Sequence, residues 1–202
     1  MLTHAVATMT EPRELRRELR ERRARIPLAD RFAAAQAVAE HLLRMPVVSS
    51  ARRIAGYWAV GGEMPLHGVV TGLSKDSAYC LPVLHTANTL RFVPWRVGDA
   101  IGTNRFGIPE PTEAGVGFAP SEVDVVLLPL LGFTRNGDRV GTGGGWYDRS
   151  FVFRKRSAAP PLLIGVGFAC QQIDDGWTPQ PWDVPLDAVA TEREFLVCPL
   201  RV

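Results

Sequence analysis

The spacing of apolar residues along the first quarter of the chain follows the period of an α-helix. Leu15, Leu19 and Ile26 form a thin apolar stripe among charged residues, which predicts a surface helix over this segment. A second helix is expected from Asp30 to about Met45, because one face of the segment is apolar and the Asp30 carboxylate can cap its start. Two helices are therefore expected before the first strand.

The rest of the chain is dominated by short apolar runs with the length of buried β-strands. They occupy Arg53–Val60, Ala78–Leu84, Thr89–Trp95, the start of Val123–Phe133, Leu162–Phe168 and Ala188–Thr191. Helices are expected between them at His67–Leu73 and from Gly145 to about Arg156. Strands that are apolar throughout are normally covered on both faces. Their alternation with helices predicts a three-layer α/β fold.

Length and composition are those of an ordinary globular protein. The 202 residues allow one domain or at most two small ones, and 46% hydrophobic with 22% charged residues argues against a disordered chain. No apolar run approaches the ~20 residues needed to cross a bilayer, so no membrane partner is expected. Residues 1–12 do not resemble a secretory signal. We expect them to form a flexible extension before a domain at 13–202.

The cysteines and histidines offer no candidate metal site. Cys80, Cys170 and Cys198 include no CxxC pair, which predicts neither a zinc site nor a disulfide framework. Reduced thiols and a cytoplasmic location are expected instead. Cys80 and Cys170 stand in apolar sequence surroundings, which favours core packing over catalysis. The four histidines form no HxxxH or HxH pair.

Basic residues are concentrated in the first predicted helix. They are Arg13, Arg16, Arg17, Arg20, Arg22, Arg23 and Arg25. Glutamates alternate with them at helical spacing, so most are expected to form a solvated surface face. One or two of them could instead reach a phosphate. An RNA-binding arm is the weakest alternative, because acids interleave, no aromatics accompany the run and the net charge is only +2. No nucleic-acid partner is expected.

The segment Gly137–Arg149 carries the most informative chemistry. Its three consecutive glycines at 143–145 permit positive φ and close approach of a ligand, and a helix start just after them would offer free N–H groups to phosphate. Arg139 and Arg149 flank the loop and could add charge-assisted contacts. Asp148 would repel a bound phosphate unless a divalent cation lies between them. Mg²⁺, held by carboxylates and phosphate oxygens, is the natural choice.

The residue pattern by itself leaves other interpretations open. The loop is neither a Walker A motif nor a convincing dinucleotide fingerprint, and a plain tight turn explains the glycines about as well as a phosphate loop. Asp148 could equally favour the positive end of its helix. Asp183 and Glu63 could be turn or loop acids. Trp58 could be a core residue and Tyr147 a packed helix aromatic.

A family resemblance is carried by two segments, Leu128-Pro-Leu-Leu-Gly-Phe133 and Gly141-Thr-Gly-Gly-Gly-Trp-Tyr-Asp-Arg149. Together they resemble the signature of the 5-formyltetrahydrofolate cyclo-ligases, also called methenyltetrahydrofolate synthetases. Weaker pieces occur in the family's order: Leu15-Arg-Arg-Glu-Leu-Arg20, Gly61-Gly-Glu63, Leu81-Pro82, Phe106-Gly-Ile-Pro-Glu-Pro111 and Trp182-Asp-Val-Pro-Leu-Asp187. The resemblance covers about 13–191 and implies a single three-layer α/β domain with a mainly parallel central sheet.

The resemblance implies ATP- and Mg²⁺-dependent conversion of 5-formyltetrahydrofolate to 5,10-methenyltetrahydrofolate, with release of ADP and phosphate. In this reaction the formyl oxygen attacks the γ-phosphate, N10 of the folate closes the ring, and phosphate leaves. Phosphorylation turns a poor leaving oxygen into a good one. The protein is then expected chiefly to position the reactants and neutralise charge. A monomeric cytoplasmic enzyme is expected.

The resemblance also implies a role for individual positions. The ATP-binding set is Arg13, Arg16, Arg139, Gly141, Thr142, Gly143, Gly144, Gly145, Trp146 and Tyr147. The folate-binding set is Trp58, Glu63, Thr142 and Trp146. Asp148 and Asp183 are expected to hold Mg²⁺. Arg139 and Tyr147 are the expected catalytic residues.

Two departures from the family pattern keep alternatives open. Pro12 stands where many members have a lysine, so its nucleotide contact is lost or passed to Arg13 with different geometry. Trp146 stands where tyrosine or phenylalanine is common, which keeps the stacking surface but no hydroxyl. A non-catalytic folate- or nucleotide-binding relative is one alternative. An enzyme of another class, handling sugar phosphates or CoA, is disfavoured by the Asp148–Asp183 pair.

Overall fold

The computed structural model describes residues 12–112, 115, 117–174 and 177–199. The extension predicted at 1–12 lies outside the described residues except for Pro12, which is the first residue of helix α1. The helices are α1 (Pro12–Ala24), α2 (Leu28–Leu43), α3 (Pro46–Ser49), α4 (His67–Gly72) and α5 (Trp146–Ser150). The strands are β1 (Arg53–Ala55), β2 (Ala78–Leu84), β3 (Leu90–Pro94), β4 (Ile101–Thr103), β5 (Pro109–Pro111), β6 (Val125–Pro129), β7 (Gly132–Phe133), β8 (Arg139–Val140), β9 (Leu162–Val166), β10 (Ala188–Ala190) and β11 (Phe195–Val197). Short 3-10 helices occupy Thr86–Asn88, Pro120–Glu122, Val152–Lys155 and Ala169–Gln171.

Seven of these strands form one central sheet in the order β11-β10-β9-β6-β1-β2-β3. Its inner strands, β10, β9, β6, β1 and β2, are parallel to one another. The edge strands β3 and β11 run antiparallel to their neighbours. Two small hairpins, β4–β5 and β7–β8, lie outside this sheet. The mainly parallel central sheet is therefore confirmed, and the antiparallel edges are what the apolar pattern did not reveal.

Side chains of the central strands alternate between two hydrophobic cores. Leu127 of β6 and Ile164 of β9 pack into the core that α2, α3 and α4 cover. Their chain neighbours Leu128 and Leu163 pack on the opposite face, which also holds Phe151, the residue that follows α5. Successive side chains of a strand point to opposite faces, so two apolar layers need two covers. This alternation confirms the predicted three-layer arrangement in a single domain.

Helix α1 packs outside these layers, against the β7–β8 hairpin. Leu15 and Leu19 contact Leu131 and Val140 in a third, smaller apolar cluster. Arg23, one turn beyond Leu19, is also buried. The thin apolar stripe of the arginine-rich segment thus packs the helix beside the loop at 141–145, where Arg16 also donates to the Gly141 carbonyl.

The chain leaves the sheet after Ala55, much earlier than the apolar run to Val60 predicted. At Gly56 the backbone passes against the buried Tyr79 ring, and a Cβ there would lie 2.0 Å from Tyr79 Oη. The Tyr79 hydroxyl donates to the carbonyl of Tyr57 at 3.3 Å. This close crossing directs the residues after β1 towards the loops that end the other parallel strands.

Two helix predictions need correction. The predicted helix from Gly145 to about Arg156 is divided, because Phe151 has φ −111° and ψ 15° and separates α5 from a 3-10 helix. Helix α2 begins at Leu28 rather than Asp30. Asp30 lies in the first turn and makes no side-chain cap hydrogen bond, although its charge still suits the positive end of the helix.

Of the two cysteines predicted to pack in the core, one is buried and the other is exposed. Cys80 is buried, and burial raises the pKa of its thiol to about 12, which fits a packing role. Cys170 is exposed, so its predicted place in the core is wrong; it lies in the 3-10 helix that follows β9 and the core residue Phe168. Among the described residues, no helix has the length and hydrophobicity needed to span a membrane.

Candidate active site

A cavity of about 530 Å³ lies at the carboxyl ends of the parallel strands. Tyr57 and Trp58 enter it from the segment after β1, Leu84 from the end of β2, and Pro129 from the end of β6. Crevices at this edge of open α/β sheets are the usual places for ligands. The predicted site residues that line the cavity are Arg16, Trp58, Glu63, Arg139, Gly141, Thr142, Gly143, Gly144, Gly145, Trp146, Tyr147, Asp148 and Asp183.

Arg13 is the predicted site residue that does not line the cavity. Its neighbour Pro12 does, as does Arg16 one turn further along α1. Arg13 is exposed on the helix surface. The residue at the departure from the family pattern therefore faces the cavity, while the arginine suggested as its replacement does not.

The loop at 141–145 is held from both sides by arginines. Arg16 donates from Nε to the Gly141 carbonyl at 2.9 Å, and Arg149 donates from Nη2 to the Gly144 carbonyl at 2.9 Å. Gly143 has φ +106°, and no atom would contact a Cβ there within 4 Å, so its backbone is open to the cavity. The two arginines thus fix carbonyls and leave the loop backbone available to a ligand.

This arrangement changes the expected source of phosphate contacts. Arg149 also donates from Nε to the carbonyl of Asn88 at 2.8 Å, so its guanidinium is used in holding loops. The helix after the glycines is only the five-residue α5, and the dipole of so short a helix is small. An anion bound at this site would therefore depend on the loop N–H groups and on the cationic side chains that line the cavity.

Arg139 and Asp148 form a nearly buried ion pair across the cavity wall. Arg139 Nη2 lies 2.9 Å from Asp148 Oδ2, and the two side chains are 9% and 13% exposed. Asp148 Oδ1 accepts the Val184 N–H at 3.2 Å. The two predicted roles, catalytic cation and metal ligand, thus belong to groups already in contact.

Asp183 is the second predicted metal ligand and lies in the same electrostatic environment. Burial raises the pKa of Asp183, the Gln180 N–H that it accepts at 2.8 Å lowers it, and the negative charge of Asp148 raises it further. A bound cation would relieve this repulsion between carboxylates. No cluster of three or more His, Cys, Asp or Glu side chains occurs in the described parts of the chain, so a cation here would need ligand oxygens from elsewhere.

Tyr147 of α5 lines the same cavity as the predicted nucleotide and folate residues. The ring stacks on Phe151 with centroids 6.4 Å apart, and the Arg139 guanidinium lies 5.6 Å from its centroid. Burial raises the pKa of Tyr147, and the charge of Glu63 raises it further. The hydroxyl therefore stays protonated at neutral pH and can donate a hydrogen bond rather than act as a base.

Glu63 follows a tight turn formed by Gly61 and Gly62, both at positive φ. Its Oε2 accepts the Val60 N–H at 3.1 Å. Burial raises the pKa of Glu63, whereas the Val60 N–H and the charge of Arg23 lower it. The turn thus presents a half-buried carboxylate to the cavity.

Aromatic side chains, among them Trp58, Phe106 and Trp146, form part of the cavity wall. Trp58 packs edge-on against Trp95 with centroids 5.6 Å apart, and Phe106 packs edge-on against Trp146 at 5.8 Å. The guanidinium of Arg105 lies 5.0 Å from the Phe106 centroid. Such a wall suits a flat heteroaromatic ligand.

Several lining residues had no role in the sequence-based prediction. They are Tyr57, Val60, Pro82, Leu84, Leu90, Asn104, Phe106, Ile108, Pro129, Val140, Trp177, Gln180 and Trp182. Phe106 and Ile108 lie between β4 and β5, in the hairpin that these two strands form. The Phe106–Pro111 motif of the resemblance was the available signal. Its contact with the cavity could not be read from spacing.

Comparison with known proteins gives a consistent result. A model of the 5-formyltetrahydrofolate cyclo-ligase family matches residues 8–192. The chain is 33% identical over 178 residues to a 5-formyltetrahydrofolate cyclo-ligase of Haemophilus influenzae, covering 86% of this chain and 93% of the relative. It is 29% identical over 177 residues to the Escherichia coli protein of that name, covering 86% and 96%. The NMR structure of Aquifex aeolicus 5,10-methenyltetrahydrofolate synthetase superposes with a TM-score of 0.78 at 27% identity, covering 92% of each chain.

Proposed function

Because the chain belongs to the 5-formyltetrahydrofolate cyclo-ligase family, we propose that it converts 5-formyltetrahydrofolate to 5,10-methenyltetrahydrofolate with consumption of ATP. The formyl oxygen attacks the γ-phosphorus and ADP leaves. N10 then attacks the activated formyl carbon and loses its proton, and inorganic phosphate, which carries the former formyl oxygen, leaves as the methenyl bridge forms. The enzyme is an ATP-dependent ring-closing ligase.

One observation carries this proposal. A single cavity is bordered by the open glycine loop, by the Asp148 and Asp183 carboxylates and by the Glu63 turn. The first two features suit a metal-bound polyphosphate, and the third suits a ligand with N–H donors, such as a reduced pterin. Both reactants of the ligase could therefore meet in one cavity, and holding the reactants together is the main requirement of a phosphoryl transfer.

The chain's own residues would contribute mainly charge and orientation. Arg139, held in place by Asp148 at 2.9 Å, would neutralise negative charge on the transferred phosphoryl group. The protonated Tyr147 hydroxyl would donate to a phosphate or formyl oxygen. Glu63 would accept from the folate ring, and the wall formed by Trp58 and Trp146 would keep that ring in its plane and exclude water.

Mg²⁺ fits the donor set on chemical grounds. Asp148 and Asp183 offer carboxylate oxygens, which this cation prefers, and phosphate oxygens of ATP would complete its shell. When bound, the cation would neutralise phosphate charge. The protein's part is to hold the carboxylates, and the repulsion that raises the pKa of Asp183 is the kind that a cation relieves.

The test is the appearance of the methenyl-folate absorbance band in a mixture of the protein, 5-formyltetrahydrofolate, ATP and Mg²⁺. The band should rise only when all four are present, and ADP should form in equal amount. Arg17→Gln, a change on the exposed face of α1, is the matched control and should keep full activity. No band under these conditions would refute catalysis.

The position of Pro12 favours one second candidate. This residue, which replaces the lysine common in the family, lines the cavity, while Arg13 is exposed. If that lysine is required, the chain binds folate and nucleotide without turnover. Calorimetric binding of both ligands combined with no methenyl product would establish this candidate. Restored turnover in Pro12→Lys would then identify the cause.

We propose that the enzyme is a monomer and that it acts in the cytoplasm. All three cysteines are free thiols, as expected of a reducing compartment.

A further inference from the structure

Arg23 is a buried arginine that faces the Glu63 turn, defined here as Gly61-Gly62-Glu63. The residue is only 5% exposed. Its Nη2 donates to the Gly61 carbonyl at 2.9 Å, and its Nη1 is buried without a hydrogen-bond partner. A buried guanidinium is costly unless its charge is compensated nearby. The position therefore calls for a negative group close to the turn.

Glu63 is the group that meets this requirement. Burial lowers the pKa of Arg23, and the charge of Glu63 is the largest influence that raises it again. In return, Arg23 lowers the pKa of Glu63. The other titratable groups facing Glu63 are Tyr57, in the segment after β1, and Tyr147 of α5, and burial keeps both neutral. The hydrogen bond to the Gly61 carbonyl places Arg23 beside the turn, and from there its charge favours the ionised form of the Glu63 carboxylate.

A second arginine holds the adjacent peptide of the turn. Arg31 of α2 donates from Nη1 to the Gly62 carbonyl at 2.9 Å and also donates to the main-chain carbonyl of Arg23. Gly61 and Gly62 have φ of +57° and +81°, so the turn exposes both carbonyls to these donors. Arginines of the two N-terminal helices thus hold the turn by hydrogen bonds to both of its glycine carbonyls.

We infer that Arg23 is a positioning residue: its guanidinium fixes the Glu63 turn and compensates the Glu63 carboxylate, which then contacts the folate. Arg23 is not among the cavity-lining residues of the described chain, so it acts through Glu63. The inference rests on the proposed function in one respect, the assignment of Glu63 as the folate contact.

The first experiment measures the Glu63 carboxylate directly and needs neither ligand nor turnover. Proteins labelled with ¹³C at glutamate carboxyls are titrated by NMR as wild type, Arg23→Gln and Arg23→Lys. Arg20→Gln is the matched control, because Arg20 is exposed on the same helix. We expect the pKa of Glu63 to rise in Arg23→Gln, to return towards the wild-type value in Arg23→Lys and to be unchanged in Arg20→Gln. Equal pKa values in wild type and Arg23→Gln would overturn the inference.

The second experiment separates positioning from general folding. In Arg23→Gln the KM for 5-formyltetrahydrofolate should rise about tenfold or more, the usual effect of losing one charged contact, while the KM for ATP stays within about twofold. Equal increases in both constants, with a lowered melting temperature, would show a structural role only. If Arg23→Gln does not fold, Arg23→Lys decides: because lysine keeps the positive charge, the pKa of Glu63 should stay near its wild-type value, and a clearly raised pKa of Glu63 in this variant would overturn the inference. A wild type without turnover refutes the proposed function, and the titration still tests Arg23.

Discussion

Replacing Asp148 with alanine should affect folding as well as catalysis. If Asp148 served only as a metal ligand, Asp148→Ala would reduce turnover without lowering the stability of the fold. In the structure, however, its Oδ2 is 2.9 Å from Arg139 Nη2, and the two side chains are 13% and 9% exposed. Asp148→Ala leaves a nearly buried guanidinium without its anion and the Val184 N–H without an acceptor.

The size of the effect follows from this burial. Removing one partner of a buried ion pair typically costs about 3–5 kcal/mol, and the lower end applies because the pair borders a cavity. For a chain of this length, about 3 kcal/mol lowers the melting temperature by roughly 6–12 °C. Asp183→Ala is the matched control. Asp183 accepts one main-chain N–H and its burial disfavours its charge, so its loss should cost less than about 1 kcal/mol.

The assay combines thermal unfolding by circular dichroism with Mg²⁺-dependent turnover. Both alanine variants should lose most activity, but only Asp148→Ala should unfold at clearly lower temperature. The double variant Arg139→Met/Asp148→Ala should recover at least half of the lost stability, because replacing both partners of a buried pair is often nearly neutral. Equal melting temperatures for the two single variants, or a double variant less stable than Asp148→Ala, would refute the ion-pair reasoning.

Three further predictions concern Glu63 in the turn, Tyr147 in the cavity and Gly56 at the end of β1. Glu63→Gln should raise the folate KM at least about tenfold and spare ATP affinity. In wild type, stability should fall as the pH rises from the ordinary glutamate pKa to the raised pKa of buried Glu63, because the folded state holds this proton more tightly than the unfolded state. Glu63→Gln should remove this pH dependence. Identical stability-pH curves for the two proteins would contradict the prediction. Tyr147→Phe should lower kcat about tenfold without changing the melting temperature, and wild-type kcat would exclude the hydroxyl from the reaction. Gly56→Ala should cost about 1–3 kcal/mol or more, because its Cβ would lie 2.0 Å from Tyr79 Oη, whereas Gly115→Ala, with no atom within 4 Å, should be neutral by thermal unfolding.

The layered fold could be predicted because its cause is local in the sequence. β2 was predicted to the residue, and the apolar runs of β6, β9 and β10 were located correctly. Each strand must be apolar on both faces to pack between two layers of helices, and that requirement is visible in a single run. Helix and strand ends were less predictable. The end of β1 depends on the Tyr79 ring beside Gly56, and no local pattern encodes that contact.

The candidate site shows the same division. Its residue types, a glycine loop with nearby arginine, aspartate and aromatic side chains, could be recognised from the sequence, because close ligand approach and charge neutralisation require them. Which arginine does what was decided by tertiary structure. Arg16 donates a hydrogen bond to the carbonyl of Gly141, 125 residues away. Arg149 was expected to contact phosphate, but it donates to the Gly144 carbonyl and so holds the loop.

The sequence by itself determined the layered α/β domain, the glycine loop and the acids available to it, since periodicity and residue chemistry are properties of short segments. Only the tertiary structure decided that Pro12 faces the cavity instead of Arg13, that Arg139 pairs with Asp148, and that Arg23 donates a hydrogen bond to the Gly61 carbonyl in the turn before Glu63. The physical reason is that charges and hydrogen-bonding groups take their partners from whatever the packed layers bring within a few ångströms. That proximity is set by the whole fold and not by neighbours along the chain.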